Sequence, residues 1–254
     1  MNNINAKQHT RTVQGAAAPH RTILKGSAGR FCLMNWQPQQ RRHDSVVVLP
    51  NGYGFLQYAK SVCEELSAHG YSVYTMNVRG QGESVGEYSI HGAAEDISVA
   101  IKHIKADEKS LHLLVHCSAA MPLIWLGANA PLWKSVKSVL LYCYLAEPEK
   151  HLARFRLKCE RYGVRLAEDV GPLDCYGSAA YRTIPVPMAV VHPQVPANLQ
   201  RASLAQLEEL ADHLDSAEIT APASGYNINS FSQHAVVQET VERDFLPLLT
   251  RTKG

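Results

Sequence analysis

The feature that most constrains this chain is a repeated switch between two hydrophobic periods. Short apolar or β-branched runs at 45–49, 71–77, 111–116, 136–144, 186–192 and 217–221 alternate with helical-period stretches at 57–69, 92–105, 119–130, 199–215 and 233–249. In the first such stretch Ala59, Val62, Cys63 and Leu66 make one apolar stripe, because a 3.6-residue period puts that spacing on one face. The short runs show no regular polar alternation, so as strands they are apolar on both sides. Strands buried on both faces and separated by helices form a parallel sheet covered on both sides. Right-handed crossovers leave few ways of connecting them. The predicted fold is α/β: a mostly parallel central sheet with helices on both faces.

One stretch, about 147–181, breaks the rhythm. It is polar, rich in Arg and Glu, and punctuated by Gly163, Gly171 and Pro172. Lying after one strand and before the next, it suits a small lid over the sheet edge where ligands bind in such folds. Residues 1–20 are polar and without period, and read as a mobile tail or early edge segment. The expected organisation is that tail followed by a single domain, 21–254, carrying the lid, since α/β folds of roughly 200–250 residues often form one domain.

Composition narrows the function classes. Hydrophobic residues at 46% supply a substantial core, and 19% charged residues do not describe a disordered polyelectrolyte. A net charge of +2 gives no strong pull toward nucleic acid or an anionic membrane. No apolar run approaches the ~18 residues of a membrane span. The start MNNINAKQHT lacks the apolar block of a secretory signal, so a cytoplasmic location is expected. The six cysteines have irregular spacings and no CxxC pair, which reads as free thiols in a reducing compartment. His43, His69, His91, His103, His112, His151 and His213 fall singly, none forming H-x-x-x-H with another of them or an H-E-x-x-H motif, and neither phosphate-binding glycine motif occurs, so no metal or cofactor is expected.

Three segments carry chemistry. The run ending at Leu49 opens into Asn51-Gly52-Tyr53-Gly54, and the next opens into Asn77-Val78-Arg79-Gly80-Gln81-Gly82-Glu83-Ser84. Glycines just after a strand let the backbone approach a ligand and aim N–H groups at an anion. In the second segment, Leu111 to Pro131, a strand runs straight into a helix through His116-Cys117-Ser118-Ala119-Ala120. A thiol there is nucleophilic, because the helix dipole and free N–H groups stabilise its thiolate. In the third, His234 precedes the last helix, eleven residues before Phe245.

Taken in this order, the segments resemble the α/β-hydrolase superfamily over roughly 21–249. The resemblance implies a nucleophile elbow, G-x-nucleophile-x-G, at the strand-to-helix turn. Two registers fit. With Ser118 as nucleophile, His116 replaces the first glycine; with Cys117, Val115 replaces it, and that β-branched residue would crowd the turn. Cys117 is preferred, because Gly127 and Pro131 then fall ten and fourteen residues downstream, the rhythm of the family's helix and following loop. The resemblance makes the N–H groups of Tyr53 and Ser118 the oxyanion hole, and His234 the base. The gap from His234 to Phe245 is shorter than in many members, though a short gap occurs in acyl-transfer members such as acyl-carrier-protein thioesterases. Asn replaces the family's Asp at 77, and no carboxylate lies between Val191 and Asn198, where the family carries its acid. Asn198, as in Cys-His-Asn proteases, or Glu147 remain for that role.

The function so implied is cofactor-free acyl transfer on an ester or thioester through an acyl-Cys117 intermediate. Its substrate would be a small acyl compound, including acyl groups held on a carrier protein in a biosynthetic pathway. Arg154, Arg156, Lys158 and Arg161 could meet a phosphopantetheine or carboxylate, or form a solvated basic face. The alternative is a protein that keeps the fold, has lost the triad, and binds a small molecule or catalyses an isomerisation or cyclisation.

Overall fold

A computed structural model describes residues 18–52, 56–106, 108, 110–144, 152–171, 177–192, 204–213, 218–220 and 234–251. The strands are β1 (His20–Gly26), β2 (Gly29–Trp36), β3 (Ser45–Leu49), β4 (Ser72–Asn77), β5 (Leu111–His116), β6 (Val136–Tyr142), β7 (Met188–Val191) and β8 (Glu218–Thr220). They form one eight-stranded sheet in the order β1-β2-β4-β3-β5-β6-β7-β8. From β4 to β8 every pairing is parallel, and β2 runs against both of its neighbours.

The helices are α1 (Leu56–Ala68), α2 (Ile90–Lys105), α3 (Ala120–Leu126), α4 (Leu152–Arg161), α5 (Leu204–His213), α6 (His234–Thr240) and α7 (Leu246–Arg251). Alternation along each strand feeds two cores. Val47, Leu49, Leu113 and Val115 join Ile97 and Ile101 of α2 on one face. Val46, Val48 and Leu114 join Leu66 of α1 and Val237, Val241 and Phe245 of the C-terminal helices on the other. This is why the short runs are apolar without alternation: both sides of each strand are interior.

Helix ends follow local chemistry. Ser89 caps α2, its Oγ accepting the Gly92 N–H at 3.1 Å, and Lys102, His103 and Lys105 sit in the last turn, where the dipole favours positive charge. Helices α6 and α7 are joined through a π-turn, Val241–Phe245.

The β1–β2 hairpin begins at His20, where the stretch read as a mobile tail or early edge segment ends; its β1 residues are mostly exposed, so they carry no apolar-run signal. One expectation changes. The helix expected to reach Ala130 ends at Leu126, where Gly127 adopts φ 66°, a left-handed conformation suited to glycine. The parallel strands all end on one edge of the sheet. Loops after Leu49, Asn77, His116, Tyr142 and Val191 therefore open side by side, which brings the sequence-distant motifs together.

Candidate active site

The strand-to-helix turn is built at Cys117. His116 closes β5 in extended conformation at φ −99°, and a short 3-10 turn, Cys117–Ala119, leads into α3. Cys117 has φ 52°; among the described non-glycine residues only Cys143 shares a positive φ. Such a conformation is costly for a residue with a Cβ and persists only where the surroundings impose it. The strain therefore falls on Cys117 and not on Ser118. The crowding expected from Val115 does not arise. Val115 is still inside β5, paired with Leu49 and Leu141 and fully buried, and the turn begins two residues later.

Ser118 is occupied elsewhere. Its Oγ accepts the N–H of Gly52 at 3.0 Å. The Gly52 carbonyl in turn accepts from Gln81 Nε2 at 2.8 Å, and Gln81 Oε1 accepts the Val78 N–H at 3.1 Å. This chain of hydrogen bonds ties the loops after Leu49, Asn77 and His116 to one another. Gln81 was not singled out from the sequence; its only signal was its place between Gly80 and Gly82. Asn51 is buried beside this chain, and its Oδ1 has no hydrogen-bond partner among the described residues.

The Asn77–Ser84 loop is held from below. Arg79 donates to Asp96 of α2 from its backbone N–H at 2.7 Å, from Nε at 3.1 Å and from its terminal nitrogen at 2.8 Å. Ser84 Oγ donates to the Asn77 carbonyl at 2.7 Å. Beyond α4, Arg165 stitches the insertion onto this loop: its N–H donates to Gly80 O at 2.9 Å, and its guanidinium donates to the carbonyls of Gly82, Ser84 and Gly86. From α4, Phe155 meets Tyr88 at 5.9 Å between ring centroids. A Cβ on Gly52 would lie 2.9 Å from the Phe155 ring and from the Tyr88 hydroxyl, so glycine is what lets these rings close over the loop.

Histidines and cysteines line the same edge. His116 lies 5.5 Å from the Tyr142 ring, which lies 5.5 Å from Phe245 beyond it. His192 follows β7; it is buried, its ring nitrogens have no hydrogen-bond partner among the described residues, and burial lowers its pKa to about 4. Cys143 follows β6, its N–H donating to Val191 O at 2.8 Å. The five described cysteines are free thiols.

The other expected site residues are not all reached. Tyr53, Asn198 and Glu147 lie outside the described residues. His234 is the first residue of α6, and Val237, three residues on, is buried in the apolar cluster that also contains Cys117. Of the basic residues, Arg156 and Arg161 are exposed on α4, and Arg161 lies 5.9 Å from the Tyr162 ring. One group with metal-ligand geometry exists among the described residues, Glu65, His69 and Glu242. It joins α1 to the π-turn, away from the strand-end loops.

A small cavity of about 20 Å³, room for about one water, lies beside the elbow. Leu49, Met76, Val78, Ile97, Ala119 and Pro122 give it an apolar wall, and Gly52, Gln81 and Tyr88 its polar rim. No helix among the described residues is long and apolar enough to cross a membrane.

No protein-family model matches the chain, and no curated protein matches it by sequence. Solved structures do match its fold. An acylaminoacyl peptidase from Pyrococcus horikoshii aligns with 95% of this chain at 12% identity and a TM-score of 0.68, although the chain spans 42% of that protein. The thioesterase domain from the curacin biosynthetic pathway aligns with 89% of this chain and 100% of its own at 17% identity and a TM-score of 0.63. The α/β hydrolase GrgF from Penicillium sp. sh18 aligns with 93% of this chain and 99% of its own at 14% identity and a TM-score of 0.66. At such identities the likeness is one of fold.

Proposed function

The chain has the α/β-hydrolase fold, and from that premise we propose that it is a cofactor-free hydrolase or acyltransferase of esters or thioesters, working through an acyl-Cys117 intermediate. The observation that carries this is the positive φ of Cys117 at the turn from β5 into the following helix. A strained residue there presents its side chain at the sheet edge, as the nucleophile elbow requires.

The Cys117 thiolate attacks the acyl carbon, and the oxygen gains negative charge as the C–S bond forms. The N–H groups of Ser118 and Tyr53 receive that charge. The bond to the leaving group then breaks, and the leaving group takes its proton from His234. In the second half His234 removes a proton from water, or from an acceptor alcohol or amine, which attacks the thioester and frees Cys117. Asn198, or in its place Glu147, holds the His234 ring. The basic side of α4 suits the phosphate of a carrier-bound substrate.

Incubation with a p-nitrophenyl ester and with an N-acetylcysteamine thioester, followed by intact-protein and peptide mass spectrometry, tests this. The expected result is an acyl adduct on Cys117, no adduct or turnover in Cys117→Ala, and an adduct still on Cys117 in Ser118→Ala. Ser118→Ala loses its bond to Gly52, so its rate falls by about tenfold, the worth of ~1.4 kcal/mol in a barrier. An adduct on Ser118 overturns the assignment.

A second reading has an observation of its own: the buried Asn51 Oδ1 beside the Gly52 loop, without a hydrogen-bond partner among the described residues, offers an acceptor to a bound small molecule. In that case the chain binds, isomerises or cyclises its ligand without an acyl-enzyme. Unchanged ester and thioester with no adduct in the wild type favour it.

A further inference from the structure

Two cysteines follow directly on the last paired residues of β5 and β6. His116 and Tyr142 are paired in the last step of the β5–β6 ladder, and each is followed directly by a cysteine. Neighbouring strands lie about 4.8 Å apart, within the Cα separation of about 4.4–6.8 Å that a disulfide spans. Cys117 and Cys143 are the described non-glycine residues with positive φ, at 52° and 65°, so both chains turn at the same level. Both side chains belong to the same apolar cluster. Both also lie within electrostatic reach of the buried Tyr181 phenol. The remaining described thiols are placed differently: Cys63 is within α1, Cys159 within α4 and Cys32 within β2.

We propose that Cys117 and Cys143 form a peroxide-sensitive dithiol, a modification site in which oxidation joins the two as a disulfide. Cys117 gives up its thiol proton, and the thiolate attacks one oxygen of hydrogen peroxide; an S–O bond forms, the O–O bond breaks, and the hydroxide that leaves takes up that proton as water, giving the sulfenic acid. The Cys143 sulfur then attacks the Cys117 sulfur. The S–S bond forms, the S–O bond breaks, and the departing hydroxide takes the Cys143 proton as water. Sulfur loses two electrons in all, peroxide gains them, and the products are a disulfide and two waters. A thiol reductant returns both cysteines. Cys143 thus keeps Cys117 from over-oxidation. The pairing rests on the strand register and not on the proposed catalysis, so the two can fail separately.

The test is peptide mapping after hydrogen peroxide treatment, with free thiols alkylated first. The expected product is tryptic peptide 110–134 joined to 138–150, lost again with dithiothreitol. In Cys143→Ser the cross-link is absent and Cys117 proceeds to the sulfinic acid, which dithiothreitol does not reverse. Sulfinic acid at Cys117 of the wild type without the joined peptides overturns the proposal, as does pairing of Cys117 with Cys63, Cys32 or Cys159. If Cys143→Ser fails to fold, the wild-type map decides alone. Should the ester and thioester assays show no acyl-enzyme, the cross-link remains readable.

Discussion

His192 illustrates how a single side chain sets a pH dependence. An imidazole in the unfolded chain titrates near ~6.5, whereas burial lowers that of folded His192 to about 4. The unfolded state therefore binds the proton more tightly. Stability is complete above pH ~6.5 and declines as the pH falls toward the folded value, by up to ~1.4 kcal/mol per pH unit from this residue. His192→Leu should flatten that decline while leaving stability at pH 7 similar or higher, since the ring makes no hydrogen bond among the described residues. Urea unfolding of both proteins at pH 7.5 and pH 5 is the measurement; parallel losses in the two would show that other groups control the acid limb. At the same scale, Cys117 carries a backbone penalty at the strand end while its side chain is buried in the apolar cluster.

Among the elements, the loops are held by side chains more than by their own backbone. Gln81 serves the Val78 N–H and the Gly52 carbonyl at once. Gln81→Leu leaves both buried groups without that partner, at about 1–3 kcal/mol each. Gln81→Glu keeps an acceptor for Val78 and loses the donor to Gly52, so its cost should be intermediate. Denaturant midpoints of the two variants would check this order. If the loop is part of the working site, Gln81→Leu also lowers turnover more than a stability change of that size explains. A loss in Gln81→Glu equal to that in Gln81→Leu would show that the Gly52 bond alone matters. The insertion between β6 and β7 belongs to the same system, because Arg165 and Phe155 bind it to the Gly52 and Gly80 loops.

For the whole molecule, the sheet order puts β3 and β5 at the centre, with each residue of both strands buried. Their amides should be the slowest to exchange with deuterium, opening only with global unfolding. The amides of β1, an edge strand with mostly exposed residues, should exchange faster. Faster exchange in β5 than in β1 would mean that the sheet opens from its active edge and not from its hairpin.

Strand bounds at Ser45–Leu49 and Leu111–His116 coincide with the apolar runs, because burial on both faces writes itself directly into the residues. β1 escaped for the opposite reason: an exposed edge leaves little pattern to read. At the elbow the sequence left two registers open, and the end of the β5 pairing placed the strained φ on Cys117. That placement depends on Val115 and His116 finding partners in β3 and β6, and no local spacing states it. The sequence by itself determined the layers and the loops that carry the chemistry, since periodicity and glycine placement are local. Only the tertiary structure decided that Ser118 holds Gly52, that Gln81 joins the loops, and that Cys117 and Cys143 follow paired residues at the ends of β5 and β6. Those contacts exist because parallel strands bring distant segments out at one edge, and a one-residue change in register would separate each of them.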